Sequence, residues 1–109
     1  MSKLDKLRNA RKEILQRIAL IEQMRRGSVM RQFLKSKRKG ASTGTFVGPY
    51  ALYTCKRDGR TVGRRLHDPE LIRRLEHQVE NHHAFQRLCR KLVEVSEEIC
   101  DEKEKQRAK

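Results

Sequence analysis

The sequence has few residues of the kinds that build a large globular core. Tryptophan is absent, aromatic residues make up 5% of the 109 residues, and hydrophobic residues make up 36%. Charged residues reach 38%, and the mean hydropathy is −0.90. This composition predicts one domain with a modest core, built from long helices with narrow apolar stripes.

Long apolar runs and a cysteine framework are also missing. No run approaches the roughly 18 residues of a membrane-spanning helix, and the N-terminal MSKLDKLRNARKE lacks the apolar centre of a signal peptide. Cys55, Cys89 and Cys100 are an odd number without metal-ligand spacing. These absences predict a cytoplasmic protein with reduced thiols and no membrane partner.

Acidic residues are scarce relative to basic ones. The chain has 27 Lys and Arg against 14 Asp and Glu, a formal net charge of +13, which predicts a polyanionic partner. The excess is concentrated in residues 27–67, with ten basic residues against one acidic residue, whereas residues 68–109 have nine against ten. A basic excess confined to one segment indicates nucleic-acid contact more specifically than a basic total does.

The most informative segment, residues 49–66, predicts a β-hairpin. Asp58-Gly59 is typical of a type I′ turn, in which both central residues need positive φ. With this turn, the pairs on one face are Cys55 with Val62, Tyr53 with Arg64, and Ala51 with Leu66. The pairs on the other face are Lys56 with Thr61, Thr54 with Gly63, and Leu52 with Arg65. The first face is mostly apolar, so we expect it to pack on a helix.

A helical arm is predicted on the N-terminal side of the hairpin, over residues 2–26. Its apolar residues recur at three- and four-residue spacing: Leu4, Leu7, Ile14, Ile18 and Ile21. Ser2 is expected to cap its start and Gly27 its end. A short helix over residues 28–34 is predicted to follow and to fold back onto the arms.

A longer arm is predicted over residues 68–104, with Asp68 as N-cap and Pro69 at the first helical position. Its stripe consists of Leu75, His82, Phe85, Cys89, Leu92 and Ile99. It is widened by Leu71, Ile72, Val79, Leu88 and Val93. The expected fold is a single, mainly α domain of residues 1–109, whose two arms pack antiparallel or as a coiled coil and carry a two-stranded β-ribbon. The width of the second stripe predicts a homodimer.

A basic linker is predicted over residues 35–48, where Lys35, Lys37, Arg38 and Lys39 lie within five positions. The pattern fits either a solvated loop or a loop that contacts phosphates and becomes ordered on binding. It is not a P-loop, since no Gly-x-x-x-x-Gly-Lys-Ser/Thr run is present.

No catalytic constellation can be assembled from the sequence. The histidines have no metal-ligand spacing and are interpreted as solvated or interface residues: His67, His77, His82 and His83. Cys89 and Cys100 lie three helical turns apart on one face, so they cannot bridge each other. The acidic residues of the second arm alternate with Lys and Arg, as on a solvated face. We therefore predict that the protein is not an enzyme and uses no metal or cofactor.

Several motifs occur in a fixed order: Met-Arg-Arg-Gly-Ser (24–28), Gly-Pro-Tyr (48–50), Asp-Gly-Arg-Thr-Val (58–62), Arg-Arg-Leu (64–66), and Val-Glu-Asn (79–81) before Phe85. Over about residues 10–100 this order resembles a family of short bacterial and archaeal proteins, a domain of unknown function sometimes encoded near mobile elements. The resemblance implies a helix, a Gly-Pro-Tyr β-hairpin and a long helix. Many members carry a cysteine cluster before Gly-Pro-Tyr; this chain has KSKRKGASTGTFV there, so no metal site is carried over.

A second resemblance concerns the hairpin alone. Tyr-x-Leu-Tyr (50–53) followed by Gly-x-Thr-Val (59–62) and basic residues is similar to the DNA-contacting ribbon of phage-type integrase arm-binding domains.

The function that these features predict is a small basic nucleic-acid-binding accessory protein, linked by the resemblance to mobile elements, with DNA favoured over RNA. A β-ribbon fits the major groove of B-DNA. The predicted contact residues are Lys35, Lys37, Arg38, Lys39, Tyr50, Lys56, Arg57, Arg60, Arg64 and Arg65, with Tyr50 or Tyr53 able to stack on a base. The alternatives are a helical protein-interaction adaptor without direct nucleic-acid contact, and a ribosome- or RNA-associated protein.

Overall fold

The computed structural model describes residues 2–36 and 45–108, with side chains for residues 2–31 and 50–108. The elements, in chain order, are α1 (Lys3–Leu20), β1 (Ser28–Ser36), β2 (Thr45–Arg57), β3 (Arg60–Leu66) and α2 (Pro69–Arg107). The strands form one antiparallel sheet in the order β1-β2-β3. The predicted mainly α fold, with two packed helices and a small β-hairpin, is confirmed.

The chain divides into two compact units. The sheet unit consists of residues 24–80 and contains all three strands. The helical unit consists of residues 1–23 and 81–109. Helix α2 therefore contributes its first part to the sheet unit and the remainder to the helical unit.

The hairpin of the sheet unit has the register that its turn predicts. Asp58 and Gly59 adopt φ angles of 53° and 78°, as a type I′ turn requires. Cys55 pairs with Val62. The remaining pairs also follow the prediction, from Lys56 with Thr61 to Ala51 with Leu66. The assignment of side chains to the two faces of the hairpin is therefore confirmed.

The core of the sheet unit lies between one face of the sheet and the start of α2. This helix-covered face contributes Ala51, Tyr53, Cys55 and Leu66, and α2 contributes Ile72, Leu75 and Val79. The three α2 residues share one side of the helix because they are three and four positions apart. Leu66 is 2% exposed, and burying such a side chain contributes about 1.5–3 kcal/mol. The prediction that this face packs on a helix is confirmed.

Residues 28–34 lie in a strand, so the short helix predicted over them is wrong. The strand β1 pairs antiparallel with β2 from Ser28 opposite Thr54 onward. Val29 packs against the core, whereas Met30 is exposed, which is the alternation of a strand. The helix is predicted because four residues have the spacing of an apolar helical stripe: Val29, Met30, Phe33 and Leu34. Pairing with β2 overrides that local preference, because strand formation depends on cross-strand packing.

The sequence predicts a two-stranded ribbon, but β1 adds a third strand along part of its length. Because β1 begins opposite Thr54 and β3 ends opposite Ala51, the sheet has three strands only between Ala51 and Thr54 of β2. Beyond Thr54, only β2 and β3 continue, and they form a two-stranded tip over residues 55–62.

The predicted basic linker, residues 35–48, is shorter than expected. β1 extends to Ser36 and β2 begins at Thr45, so both ends of the linker belong to strands. Residues 37–44 lie outside the described residues.

The sequence predicts that Gly27 caps the end of the first helix, and this prediction is wrong. Gly27 instead directly precedes β1. Its φ angle is 120°, and a Cβ atom at this position would lie 2.3 Å from the carbonyl oxygen of Thr54. Only glycine accommodates both the backbone conformation and the close approach of β2. The helix α1 ends earlier, at Leu20 instead of residue 26, because Ile21 has extended backbone angles.

In the helical unit, α1 packs against the part of α2 that begins at Asn81. The Asn81 side-chain amide donates to the Gln23 carbonyl oxygen at 2.8 Å, and Lys3 Nζ lies 3.9 Å from Glu102 Oε2. The start of α1 thus lies beside the end of α2, so the two helices run antiparallel, as predicted.

The apolar stripe predicted for α1 faces the interior of the helical unit. Its residues are all at least half-buried: Leu4, Leu7, Ile14, Ile18 and Ile21. Ile14, at 9% exposure, is nevertheless the only buried residue in the described part of this unit. The packing of the helical unit is therefore thin.

Both helices begin with the predicted caps. Ser2 Oγ accepts a hydrogen bond from the Asp5 backbone N–H at 3.1 Å. Asp68 Oδ1 accepts one from the Glu70 backbone N–H, also at 3.1 Å. Each cap satisfies a backbone donor that has no partner within its helix. No described helix is both long enough and apolar enough to cross a membrane.

Candidate nucleic-acid interface

The positive charge of the chain is concentrated in the sheet unit. Residues 24–80 contain fourteen Lys and Arg against five Asp and Glu, whereas the helical unit contains thirteen against nine. The sheet unit thus has +9 of the total of +13 in about half of the chain. A charge excess on one compact unit produces a local positive field that attracts polyanions.

The ion pairs of the described residues lie on or against the helices. They include Lys3 with Glu102, Glu13 with Arg17, Arg31 with Glu76, Glu70 with Arg73, and Glu104 with Arg107. Within the described part of the chain, no carboxylate forms an ion pair with a side chain of residues 56–65. Among the described residues, the cations of the hairpin are therefore not neutralised by an ion pair.

The strand register distributes these cations over both faces of the hairpin. Arg57, Arg60 and Arg64 lie on the helix-covered face, since Arg57 pairs with Arg60, and Arg64 pairs with the core residue Tyr53. Lys56 and Arg65 lie on the opposite face. Arg64 and Arg65 are neighbours in sequence, but they cannot both approach one flat ligand surface through the same face of the sheet.

Tyr50 is packed against Arg65. The Arg65 guanidinium carbon lies 4.8 Å from the centroid of the Tyr50 ring, and Tyr50 is only 8% exposed. The ring of His67 lies nearby, at 6.2 Å between centroids. A cation over an aromatic face contributes about 0.5–1 kcal/mol at an exposed site. For Tyr50 to stack on a base, as predicted, this arrangement would first have to open.

Tyr53 connects β2 to the segment before β1. Its ring is buried, and its hydroxyl donates to the Arg26 carbonyl oxygen at 2.6 Å. Burial raises the pKa of the Tyr53 phenol because it disfavours the charged form. In this position Tyr53 is a core residue, and its ring is not presented to a ligand.

Cys55 indicates a positive local potential on the helix-covered face. A hydrogen bond with Tyr53 lowers the pKa of the Cys55 thiol, and the Arg57 guanidinium and the charge of Arg26 lower it further. Burial acts in the opposite direction but is outweighed. Cys55 in turn raises the pKa of Arg57. Positive charges thus surround the thiol on this side of the hairpin.

Arg31 is the one basic residue of β1 with a described side chain, and it is engaged within the unit. Its Nε donates to Glu76 Oε2 at 2.8 Å, and its Nη2 donates to Oε1 at 2.6 Å. This bidentate contact lowers the pKa of Glu76 and raises that of Arg31. It fixes β1 to α2, so we assign Arg31 a structural role.

Arg25 and Arg26 lie beside the hairpin, and sequence reasoning did not include them in the site. The Arg25 backbone N–H donates to the Gln78 carbonyl oxygen, and its Nε donates to Gln78 Oε1, both at 3.0 Å. In the sequence the two arginines matched the end of a helix. Only the contacts of their segment with β2 and α2 bring them to the hairpin, and no local spacing indicates those contacts.

The predicted contact residues before the hairpin are largely outside the structural description. The backbone of Lys35 pairs with Phe46 in the sheet, but its side chain is not among those described. Lys37, Arg38 and Lys39 lie outside the described residues.

The described residues contain no group of three or more His, Cys, Asp or Glu placed to hold a metal ion. Cys55, Cys89 and Cys100 are free thiols. Comparison of the chain with protein-family models, with curated proteins and with solved structures finds no match. The resemblances stated from the motifs therefore stay predictions.

Proposed function

We propose that the protein binds nucleic acid through the basic hairpin of the sheet unit, with duplex DNA as the favoured ligand. The observation that supports this most directly is the set of hairpin cations without ion pairs in the described chain: Lys56, Arg57, Arg60, Arg64 and Arg65. They lie on an antiparallel ribbon whose base belongs to the core of the unit, through Ala51, Tyr53 and Leu66.

The two-stranded form of the hairpin tip supports the same proposal. The major groove of B-DNA admits a two-stranded β-ribbon, and residues 55–62 form a tip of this kind beyond the end of β1. Arginine suits both tasks of such a ribbon, because its guanidinium contacts phosphates and also makes bidentate contacts with guanine edges. One face of the tip would enter the groove while cations on the other face contact the flanking phosphates.

A salt series tests this function. The affinity of the full chain would be measured for duplex DNA, single-stranded DNA and RNA. If Lys and Arg neutralise phosphates, the affinity for duplex DNA should fall with salt at a log–log slope of roughly −0.9 per contact. The strongest of the three bindings identifies the preferred ligand.

Paired substitutions separate the two faces. Arg57→Ala with Arg64→Ala removes two cations from the helix-covered face, and Lys56→Ala with Arg65→Ala removes two from the opposite face. Each pair should flatten the slope by about two units if both residues contact phosphates. Lys6→Ala with Lys105→Ala removes the same charge from the helical unit and should leave the slope nearly unchanged. The proposal fails if both hairpin pairs stay folded and bind all three ligands as the parent does at every salt concentration.

A second candidate role, association through the helices, is favoured by the thin packing of the helical unit. Leu20 is 83% exposed and Val93 is 56% exposed, while Leu88 and Leu92 are half-buried. Antiparallel helix pairs commonly bury such surface by forming four-helix bundles. We propose a second copy of this chain as the partner, and a different helical protein is the adaptor alternative.

Sedimentation at micromolar concentration tests this association. A dimer would have twice the 12.9 kDa of one chain, and Leu88→Gln with Leu92→Gln should shift it to the monomer. A monomer at every concentration up to hundreds of micromolar would contradict self-association. Unchanged nucleic-acid binding by the same variant would show that the two roles are independent.

A further inference from the structure

A cavity of about 290 Å³ opens on the helix-covered face of the sheet unit. Three guanidinium groups line it, from Arg25, Arg57 and Arg64. Its apolar wall is formed by Val62, Leu71 and Leu75. The cavity thus combines a cationic part with an apolar part, all within one unit.

The cationic part of the cavity has guanidinium groups without acidic partners, so it can accept an anion. No carboxylate lines the cavity, and neither Arg57 nor Arg64 forms an ion pair with any described residue. Arg25 is held in place through Nε by Gln78 Oε1, so its orientation does not have to be fixed on binding. Guanidinium groups match the geometry of phosphate oxygens through paired N–H donors.

The buried thiol beside the cavity gives independent support. Cys55 also lines the cavity; a hydrogen bond with Tyr53 lowers the pKa of its thiol most, and Arg57 and the charge of Arg26 lower it further. A thiolate is favoured where the surroundings are electropositive. The positive potential that favours the thiolate form of Cys55 would also favour a bound anion.

The size of the cavity restricts the ligand. Small-molecule sites usually have volumes of about 300–1,000 Å³, so this cavity lies at the lower end of that range. The cavity is too small for a duplex. Inorganic phosphate has no apolar surface, so it would leave the apolar wall of the cavity without a contact. A single phosphate joined to one planar or apolar group uses both parts.

We propose that this cavity binds a phosphomonoester joined to a nucleoside, either as the 5′-phosphorylated end of a strand or as a free mononucleotide. The inference rests on the proposed function, since it names the chemical group that the nucleic-acid-binding unit selects. A terminal phosphomonoester suits three cations better than an internal phosphodiester does. Near neutral pH the monoester carries more than one negative charge, whereas the diester carries one.

Matched oligonucleotides test the inference. Single strands of one sequence, with a 5′-phosphate or a 5′-hydroxyl, would be titrated into the full chain by calorimetry, beside adenosine monophosphate and inorganic phosphate. We expect the phosphorylated strand to bind roughly tenfold or more tightly than the hydroxyl strand, the size expected for hydrogen bonds to a charged group. The mononucleotide should bind more tightly than inorganic phosphate.

Single substitutions then locate the preference. Arg64→Ala and the milder Arg64→Gln should each abolish most of it, and so should Arg57→Ala. Arg65→Ala removes the same charge from the opposite face, so it should weaken binding of both strands alike and leave the ratio of their affinities unchanged. As a second readout, the mononucleotide should slow alkylation of Cys55 in a variant with Cys89→Ser and Cys100→Ser, because the ligand both covers the thiol and neutralises the charges that favour thiolate.

The outcomes separate this inference from the proposed function. Equal binding of the two strands with a steep salt dependence would overturn the cavity inference and leave nucleic-acid binding standing. Binding of the mononucleotide without binding of either strand would support the cavity and refute the proposed function. Loss of the preference in Arg65→Ala to the same extent as in Arg64→Ala would also overturn the inference.

Discussion

The sheet unit and the helical unit differ in how much of their apolar surface they bury. The described part of the sheet unit has eight buried residues: Tyr50, Ala51, Tyr53, Cys55, Leu66, Ile72, Leu75 and Val79. Within its described residues, the helical unit has one, Ile14. The longer helical segments, α1 and the part of α2 after residue 80, belong to the unit with fewer buried residues.

This difference teaches that helix length and stability are separate properties. Most of the stability of a helix in a protein comes from packing of its apolar face, since an isolated helix is marginal in water. The sheet unit satisfies this requirement within one chain. Its core includes the base of the hairpin that carries the cations. The helical unit leaves its stripe half-buried, so we expect it to depend on further association.

The largest expected effect is loss of the buried leucine of the sheet unit. Leu66→Ala should lower the free energy of unfolding by about 2–5 kcal/mol, because it removes a fully buried side chain and leaves a cavity. Leu92→Ala, at a half-buried position of the helical unit, should cost about half as much or less. Urea unfolding, followed by tyrosine fluorescence and by circular dichroism, measures both.

The two signals distinguish the units. The chain has two tyrosines and no tryptophan, and Tyr50 and Tyr53 both belong to the sheet unit. Leu66→Ala should therefore shift the fluorescence transition more than Leu92→Ala does. Equal shifts for the two variants would show that the burial difference between the units does not determine their stability.

The next effect concerns the close approach of two strands at Gly27. Gly27→Ala should destabilise the sheet unit by about 1–3 kcal/mol from backbone strain alone, because φ is 120°. The new Cβ would also meet the Thr54 carbonyl oxygen at 2.3 Å. Gly59→Asn is the matched control, since its Cβ would meet nothing within 4 Å and Asn tolerates positive φ. Urea midpoints by tyrosine fluorescence compare them, and similar costs would contradict the steric argument.

The hairpin was predictable from sequence because its determinants are local. Asp58-Gly59 specifies the turn, the turn sets the register, and the two-residue period of a strand then assigns each side chain to a face. The opposite placement of Arg64 and Arg65 followed directly. The helix starts were predictable for the same reason, since Ser2 and Asp68 cap their helices through bonds to residues two or three positions away.

Other features depend on contacts between distant residues, and sequence patterns did not indicate them. The segment 28–34 becomes a strand because it pairs with β2, some twenty residues later. The end of α1 is set at Leu20, where the chain turns to contacts with α2, such as the Gln23 carbonyl with Asn81. The same kind of contact brings Arg25 into the cavity. The hairpin residues of the candidate site are thus predictable, whereas Arg25 and Arg26, which reach it through tertiary contacts, are not.

The smallest effect that we predict lies at the junction of β1 and α2, where Glu76 accepts two hydrogen bonds from Arg31. Glu76→Gln should lower the free energy of unfolding at pH 7 by about 1 kcal/mol or less, because both side chains are partly exposed. Glu13→Gln removes a carboxylate from the exposed Arg17 pair on α1 and should cost less, at most about 0.5 kcal/mol.

The pH dependence of that loss has a definite sign. The contact with Arg31 lowers the pKa of Glu76 in the folded state, so the folded protein releases this proton more readily than the unfolded chain does. The resulting stability is fully present above the unfolded pKa of about 4.3 and disappears as the pH falls through the lower folded pKa. The raised pKa of Arg31 acts only at extreme alkaline pH. The difference between parent and Glu76→Gln should therefore be constant from pH 6 to 8 and shrink on acidification below about pH 4. A difference that instead grew toward low pH would mean that Glu76 stabilises the sheet unit in its protonated form, and the ion pair with Arg31 would not be what holds β1 against α2.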